Sequence, residues 1–509
     1  GTGGARCGLR RSRRAARASR YATGHGAMIA MKPARTLAMA GALALFASQA
    51  VHAQWLDLYG TRKNVSASPA APMLKNATCQ PELADRPIEL EDAILQAICA
   101  NPQARRAWAD ARAQAAQLGV KEAAYLPTLN ATAGIQRNWQ TTTYEQDLGP
   151  ITLTADQKQI QTSRYGALNL SWVLFDFGKR SAALRQAREL LAAANATQDD
   201  TLQTLLFNAA QAYYNLRDTQ AALDAARTTE RVAQDSLTAA KAKHDAGAGT
   251  LSDQLQAQTS YRRAVLDRVS AEGDVRNATG VLAVAMGLDA NTPLRIATAE
   301  PPVDRNAFAE GIAQLIDEAK RQHPKLVAAR AKLDAARANV DAVRAQGRPT
   351  ISLTGSLSRN SPSYQQQPGI QTTASHGSMI GVQVTIPLFE GFASGYRVAA
   401  AQAQADAQEA DVQNTELNVS LDVWKSYQSL QTDTANLDNS KDLLGDAQRS
   451  LDIARGRYKA GVGTFTELLN AQTALADAQK QRVQALSKWR TARLKLAASL
   501  GSIGLWSAH

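Results

Sequence analysis

The chain has 509 residues, of which 45% are apolar, 20% charged and 5% aromatic, a composition that excludes a disordered or collagen-like protein. The formal net charge is +12, but residues 1–53 hold nine of the Lys and Arg residues and no acid, so the remainder carries only +3. A nucleic-acid-binding protein is therefore not predicted, because such proteins need clustered cations to neutralise phosphates.

The N-terminal region has the pattern of an export signal. Residues 31–35 are a short basic segment, residues 36–50 are small and apolar, and residues 51–53 read Val-His-Ala, which resembles a cleavage site. We expect a signal peptide over residues 28–53 and set residues 1–27 aside as a non-native or unprocessed extension. The alternative is a membrane anchor, which the run disfavours because it is shorter than the ~20 residues that a spanning helix needs.

Two cysteines follow the signal peptide, Cys79 and Cys99. An exported protein meets an oxidising compartment, so we expect a disulfide between them, worth about 3 kcal/mol for a loop of this length. The alternative is a pair of buried free thiols. A metal site is not predicted, because no histidine cluster accompanies them. Residues 54–87 are expected to form an N-terminal periplasmic segment.

The rest of the chain repeats itself. Landmarks recur first at an offset of 222 residues and then, after a shorter connection, at a constant offset of 214. The matched pairs are Asn101-Pro102 with His323-Pro324, Pro127 with Pro349, Leu174-Phe175 with Leu388-Phe389, Tyr213 with Tyr427, and Gly287 with Gly501. We therefore expect two equivalent halves, residues 88–290 and 305–502, joined by a linker at 291–304 and followed by a tail at 503–509.

Each half contains two runs in which apolar and small polar residues alternate. The four runs lie near residues 128–137, 165–175, 350–359 and 379–389. Alternation over about nine residues is typical of a tilted strand that crosses a bilayer with lipid on one side and a wet lumen on the other. A soluble, half-buried sheet has the same pattern and is the alternative.

Aromatic residues at the strand ends favour the membrane interpretation, because such residues form girdles at membrane interfaces. They are Trp172, Phe175, Phe177, Phe389 and Phe392. Four strands cannot close a membrane barrel, and an open sheet edge is not viable in lipid. Three chains that share one barrel would supply twelve strands.

The remaining segments have helical patterns. The longest predicted helices cover 178–245 and 393–459, and one of 68 residues is ~100 Å long. Shorter helices are expected at about 90–125, 250–287, 306–347 and 465–500. In each half, the two shorter helices placed end to end have about the length of the long helix. Abundant alanine permits close packing in an antiparallel rod. An ordinary coiled-coil rod is the alternative, but it explains neither the duplication nor the strands.

With this repeat, the Asn-Pro and His-Pro helix starts, the proline-to-strand junctions and two Gly-x-Gly-Thr turns, the chain resembles the TolC-like outer-membrane factor family. The resemblance implies a mainly α fold with a β-barrel portion, in which a homotrimer shares a twelve-stranded outer-membrane barrel continuous with a long periplasmic α-helical tunnel. It implies the outer membrane of a Gram-negative bacterium. The implied partners are outer-membrane lipid, a periplasmic adaptor and an inner-membrane transporter, with no cofactor, no metal and no nucleic acid.

The resemblance also assigns the adaptor-docking turns. They are Gly247, Gly249 and Thr250 in the first half and Gly461, Gly463 and Thr464 in the second. Glycines permit positive φ and the close approach of a partner backbone, and the threonines can cap the helices that follow. The alternative is a tight turn without a partner, which does not exclude docking.

Residues on either side of these turns match the family's closed tunnel entrance. They are Ser252 and Asp253 in the first half and Tyr458, Glu467 and Asn470 in the second. Converging carboxylates favour cations and repel one another as an entrance narrows. Asn470 stands where the family has another acid, and Gly463 stands where a basic residue helps to lock the gate. The alternative for Asp253 and Glu467 is an acidic residue favoured by the helix dipole.

The leading functional hypothesis is a passive exit duct for a tripartite efflux pump or a type I secretion system. A surface-exposed trimeric coiled coil and a periplasmic adaptor are the alternatives. An enzyme is not predicted, because the sequence has no Gly-x-x-x-x-Gly-Lys-Ser/Thr loop, no His-Glu-x-x-His and no Gly-x-Ser-x-Gly motif. The sequence does not specify the cargo.

Overall fold

The computed structural model describes most of the chain after the predicted signal peptide. The described residues are 57–74, 79, 86–147, 149–150, 152–297, 311–365 and 374–501. The predicted extension, signal peptide and C-terminal tail, and residues 298–304 of the predicted linker, lie outside them. Within the described ranges, no helix is both long and apolar enough to cross a membrane.

The two halves have the same order of elements: two short helices, two strands, one long helix and one of intermediate length. The first half contains α1 (Leu90–Ala100), α2 (Pro102–Ala123), β1 (Thr128–Asp147), β2 (Thr152–Phe175), α3 (Lys179–Asp245) and α4 (Leu251–Ala285). The second contains α5 (Ile312–Gln322), α6 (Pro324–Gln346), β3 (Thr350–Gln365), β4 (Ser375–Thr385), α7 (Ala393–Lys459) and α8 (Phe465–Ser499). The predicted duplication is thus present in the backbone.

The single helices predicted at 90–125 and 306–347 are wrong, because each is divided in two. Asn101 and His323 are extended, with ψ of 129° and 124°, since a following proline disfavours the helical conformation. Each side chain then caps the next helix. Asn101 Oδ1 accepts the Gln103 N–H at 2.9 Å, and His323 Nδ1 accepts the Lys325 N–H at 3.2 Å.

The predicted strand lengths of about nine residues are also wrong. β1 has 20 residues, β2 has 24 and β3 has 16, whereas β4 ends at Thr385 rather than near 389. The apolar alternation marks only the part of each strand nearest the helices. Beyond it, the Thr- and Gln-rich part of β1 pairs with β2 out to Asp147↔Thr152, because backbone hydrogen bonds do not require apolar side chains.

The four strands form one antiparallel sheet in the order β1-β2-β3-β4. β2 and β3 join the two halves, and the paired residues include Leu168 with Leu357. Directly paired residues of antiparallel strands lie on the same face, so the apolar residues of all four strands share one face and the Asn, Thr, Ser and Gln residues share the other.

The helices pack side by side along their length. α3 packs against α2, α4, α6 and α8, and α7 packs against α6 and α8. Alanine is the commonest buried residue, which brings the helix backbones close together. The long helices α3 and α7 have 67 residues each, close to their predicted bounds, and are therefore ~100 Å long.

A segment before the first helix packs onto α2 and α3. Val65 and Ala70 are buried in it. The Trp108 indole N–H donates to the Ser66 carbonyl oxygen at 2.9 Å, and the Gln198 amide donates to the Pro69 carbonyl oxygen at 3.0 Å. The Cys79 and Cys99 side chains are joined in a disulfide, which ties the chain near this segment to the end of α1.

Candidate functional site: the two hairpin ends

The residues predicted to dock an adaptor lie at the ends of two helical hairpins. Hairpin end 1 (residues 243–256) joins α3 to α4, and hairpin end 2 (residues 457–470) joins α7 to α8. Gly247 and Gly461 have φ of 72° and 76°, and no atom lies within 4 Å of where a Cβ would be. The positive φ, rather than lack of space, is therefore what requires glycine at these two positions.

At the second glycine of each turn, lack of space for a side chain is what requires glycine. A Cβ on Gly249 would lie 3.1 Å from Lys243 Cβ, and one on Gly463 would lie 2.9 Å from Arg457 Cβ. The turn backbone thus packs directly against the last turn of the preceding helix. A larger residue at either position would push the two helices of its hairpin apart.

The threonines cap the helices that leave the turns. Thr250 Oγ1 accepts the Asp253 N–H, and Thr464 Oγ1 accepts the Glu467 N–H, both at 3.1 Å. These caps place Asp253 and Glu467 in the first helical turn, where the positive end of the helix dipole favours a carboxylate. The position accords with the dipole interpretation and leaves Glu467 exposed and Asp253 half-buried at the hairpin ends.

Tyr458 is buried at the centre of hairpin end 2. Its ring packs edge-to-face on Phe465, with the centroids 5.7 Å apart. Burial raises the pKa of the Tyr458 hydroxyl, and the nearby Asp253 carboxylate of the other hairpin raises it further. The hydroxyl therefore stays protonated and able to donate a hydrogen bond at any physiological pH.

Lys243 connects the two hairpin ends, and the sequence interpretation missed it. Its Nζ donates to the Tyr458 carbonyl oxygen at 2.8 Å and lies 3.7 Å from the centroid of the Tyr458 ring. The ammonium thus makes a charge-assisted hydrogen bond and a cation–π contact across the two hairpins. The available signal was its position, because Lys243 is the repeat equivalent of Arg457.

Arg457 behaves differently from its equivalent. Its Nε lies 3.1 Å from the Glu467 carboxylate, so it forms an ion pair within its own hairpin, with both side chains about half exposed. In the described part of the chain, Asp253 has no such ion pair. Glu467 is thus partly neutralised, while Asp253 is the less compensated of the two predicted entrance carboxylates.

The two remaining predicted entrance residues are on the surface. Ser252 Oγ accepts a long hydrogen bond of 3.4 Å from the Gln256 amide. Ser252 also lines an open groove of about 640 Å³ between α4 and α8, with Leu251 and Leu469 among its walls. Asn470 is exposed and, in the described part of the chain, forms no hydrogen bond with Asp253 or Tyr458.

The predicted interfacial aromatics lie at the end of the sheet that meets the helices. Phe175 packs edge-to-face on Phe177 at 4.6 Å, and Phe389 packs on Phe392 at 5.4 Å. All four rings are exposed, and the Trp172 indole N–H donates to the Tyr125 carbonyl oxygen at 2.9 Å. Only Trp172 and Phe175 belong to a strand, because the other three follow the strand ends.

Sequence comparisons identify similar proteins over both halves. The family described as outer membrane efflux protein matches residues 93–288 and 315–502. Protein CyaE of Bordetella pertussis is 32% identical, over 83% of this chain and 86% of its own. The pyoverdine export outer membrane protein OpmQ of Pseudomonas aeruginosa is 27% identical (82% and 84%), and the outer membrane protein TolC of Escherichia coli is 22% identical (80% and 81%).

Solved structures have the same fold. The outer membrane protein VceC of Vibrio cholerae superposes with a TM-score of 0.67 at 20% identity, covering 81% of this chain and 96% of its own. The CmeC outer membrane channel of Campylobacter jejuni superposes with a TM-score of 0.69 at 19% identity (81% and 85%). The predicted fold class, mainly helical with a two-fold repeat and four strands per chain, is confirmed.

Proposed function

This chain belongs to the outer membrane efflux protein family and is an outer-membrane channel, and on that premise we propose how it is assembled and coupled. It is the passive exit duct of a tripartite efflux pump or a type I secretion system. It works as a homotrimer that receives cargo from an inner-membrane transporter through a periplasmic adaptor. The observation that carries the proposal is the pair of equivalent hairpin ends, each with a glycine turn and an exposed surface.

The open sheet supports the homotrimer. β1 and β4 are the two edge strands, and each has unpaired backbone groups on one side. Unpaired backbone groups in hydrocarbon cost several kcal/mol each, so the edges must pair within the membrane. Three chains, with β1 of one paired to β4 of the next, supply twelve strands and leave no edge.

The shape of the turns supports docking of the adaptor at the hairpin ends. Ala248 and Val462 are exposed at corresponding positions, and Val462 leaves 69% of its surface uncovered. The backbone around each is held by the glycine contacts and the threonine cap. A rigid, exposed backbone with one small apolar side chain fits close contact with a partner helix, because little entropy is lost on binding.

The first test is a double substitution, Gly247→Val with Gly461→Val. Valine opposes the positive φ of both turns, so export should be lost while the trimer still forms. The matched control is Gly273→Val with Gly445→Val, because both glycines are helical and a Cβ there meets no atom within 4 Å. Export at the level of the control would remove the docking assignment.

A second pair of variants tests docking without straining the turns. Ala248→Trp and Val462→Trp place bulk on the exposed surface of hairpin ends that still fold. We expect loss of cross-linking to the adaptor in cells, with the trimer and its pore conductance unchanged. Retained cross-linking in both variants would place the adaptor elsewhere.

The class of cargo is tested by comparing a deletion strain with its parent. If the channel serves type I secretion, one or a few large proteins should disappear from the culture medium and accumulate in the cells. If it serves small-molecule efflux, the medium should be unchanged under conditions of expression and susceptibility to toxic compounds should rise.

A further inference from the structure

The apolar face of the sheet forms a band with a defined outer limit. From the helix-proximal end, each strand places four residues on this face before the first basic residue, and all of them except Ser378 are apolar or glycine. They are Leu129, Ala131, Ala133 and Ile135 on β1; Trp172, Leu170, Leu168 and Gly166 on β2; Ile351, Leu353, Gly355 and Leu357 on β3; and Val384, Val382, Ile380 and Ser378 on β4. Four residues on one face correspond to about eight residues of strand, close to the ~9–11 residues with which a tilted strand crosses the hydrocarbon core.

A basic residue follows this band on every strand. We name these residues the basic belt: Arg137 on β1, Arg164 on β2, Arg359 on β3 and His376 on β4. Arg359 pairs directly with His376. Arg164 pairs with Ile135, two residues before Arg137, and Gly166 pairs with Arg359, so the arginines are diagonal neighbours across adjacent strands.

The register places all four on the apolar face. Arg137 is in phase with Leu129 along β1, and Arg164 and Arg359 are in phase with Leu168 and Leu357. The opposite face at the same levels is neutral, with Gln136, Asn138, Ser163, Tyr165, Ser358 and Asn360. The cations are therefore confined to the side that carries the apolar band rather than scattered around the strands.

The arginines of the belt are exposed and available. Arg137, Arg164 and Arg359 have exposed side chains. Within the described residues, none of the three has a carboxylate oxygen within 4 Å. The Arg137 guanidinium lies over the ring of its neighbour Trp139, 5.4 Å from the centroid. Charged residues of both signs appear only farther along β1 and β2: Glu145, Asp147, Asp156 and Lys158.

The position of the belt matches the outer headgroup region. An arginine on a lipid-facing strand costs ~2–4 kcal/mol at the bilayer midplane but only ~0–1 kcal/mol near an interface. The helices begin at the other limit of the apolar band, so the belt lies at the limit of the band remote from the periplasmic tunnel, and β1 and β2 continue beyond it. Exposed Trp139, one step beyond Arg137, has the character of an interfacial aromatic.

We propose that the basic belt binds the phosphate groups of the phosphorylated glycolipid in the outer leaflet of the outer membrane. This rests on the proposed function only in taking the apolar face as the lipid contact. Guanidinium groups suit this ligand, because each offers planar, bidentate hydrogen bonds to phosphate oxygens. Three to four adjacent cations match a headgroup with two phosphates, and a trimer would carry three such sites.

The test measures glycolipid binding to the purified trimer in a neutral detergent. The probes are diphosphorylated lipid A, the same lipid with both phosphates removed, and inorganic phosphate. The variant is Arg137→Gln with Arg164→Gln and Arg359→Gln. The charge-matched control is Arg106→Gln with Arg231→Gln and Arg449→Gln, all exposed on helices.

We expect the belt variant to bind diphosphorylated lipid A at least tenfold more weakly than the control, which should match the unmodified protein. The dephosphorylated lipid should bind all three proteins equally weakly, and millimolar inorganic phosphate should not compete. Equal binding by variant and control would overturn the site, and full competition by inorganic phosphate would overturn the assignment to lipid.

Two further measurements separate this proposal from folding and from channel function. If the triple variant does not form trimers, the single substitution Arg359→Gln should weaken binding about threefold, and no change would count against the site. Arg137→Lys with Arg164→Lys and Arg359→Lys should bind more tightly than the glutamine variant, because the charge is kept, but more weakly than the unmodified protein, because the bidentate hydrogen bonds are lost. Pore conductance should be unchanged in every variant, so a failed exit duct would be recognised independently of lipid binding.

Discussion

Hairpin end 1 and hairpin end 2 share a backbone but differ in how their side chains are anchored. Hairpin end 2 contains a packed cluster in which Tyr458, Phe465 and Leu468 are buried. At the equivalent position of Phe465, hairpin end 1 has Leu251, which is 56% exposed. The duplication thus preserved the turn and the cap, while the first helical residue after the cap is buried at one end and largely exposed at the other.

The two hairpin ends also differ in the contacts of Lys243 and Arg457, which are equivalent residues of the repeat. Arg457 pairs with Glu467 inside its own hairpin, whereas Lys243 reaches across to Tyr458. Hairpin end 1 is therefore held partly by its neighbour. Movement of one hairpin relative to the other would therefore break the Lys243 contact and separate Ala240 and Ala257 from the buried cluster around Tyr458.

The largest expected difference between the two hairpin ends comes from removing the buried Phe465 ring of hairpin end 2. Phe465→Ala should destabilise that end by about 3 kcal/mol, because it leaves a cavity beside Tyr458. The matched change Leu251→Ala removes a mostly exposed side chain and should cost less than about 1 kcal/mol. Hydrogen exchange of the two turns measures both. Equal deprotection would mean that the ends are anchored alike.

The carboxylates offer a test through ion block. Asp253→Ala with Glu467→Ala should weaken block of the pore by divalent or trivalent cations about tenfold, because converging carboxylates hold such ions. Of the single variants, Asp253→Ala should have the larger effect, since Glu467 is already paired with Arg457. The measurement is single-channel conductance in a planar bilayer, and an unchanged block would place the cation site elsewhere.

The lysine contact can be tested by Lys243→Met, which keeps the aliphatic stem and removes the charge. We expect a loss of about 1.5 kcal/mol of attachment between the hairpin ends and a higher conductance of the closed channel. Arg457→Met is the matched control, and it should cost about 0.5 kcal/mol because an exposed ion pair contributes little. Equal conductance of the two variants would contradict a role for Lys243 between the hairpins.

The smallest expected effect is a dependence of stability on pH at the two helix breaks, where Asn101 and His323 are equivalent capping residues. Burial and, to a smaller extent, the Lys325 ammonium lower the pKa of the His323 imidazole to about 4, against the opposing effect of the Asp422 carboxylate. The unfolded state therefore binds more protons between pH 4 and 6.5, so stability should fall as the pH drops through this window.

We expect a loss of about 1 kcal/mol near pH 5 relative to neutral pH, discounted for partial exposure to solvent. His323→Asn reproduces the cap of the first half and removes the titrating group. Its thermal stability should therefore depend less on pH between 4.5 and 7 than that of the unmodified protein. An unchanged pH dependence would show that His323 does not titrate with the expected pKa.

Much of the fold could be predicted because the duplication supplied two independent views of each element. The long helices at 178–245 and 393–459 were predicted almost to the residue, since each ends at a glycine turn and begins after a strand. The lengths of the strands were not predicted correctly, because the outer parts of β1 and β2 have no apolar alternation. Asn101-Pro102 and His323-Pro324 were recognised as helix starts, but the short helix before each of them was not separated from the helix that follows.

The sequence by itself determined the backbone plan: the repeat, the type of each element, and the glycine and threonine positions of both turns. These depend on local rules, namely the φ that glycine permits, the residue before proline and the period of apolar residues. Such rules act within a few residues, so they can be read along the chain.

Only the tertiary structure decided which side chains meet. The contact of Lys243 with Tyr458 joins residues 215 positions apart, and the sheet register places Arg164 beside Arg137 and Arg359 on one face. These neighbours depend on how helices and strands from both halves pack. Equivalent residues of the repeat therefore acquired different roles, because the halves face different surroundings even where their sequences match.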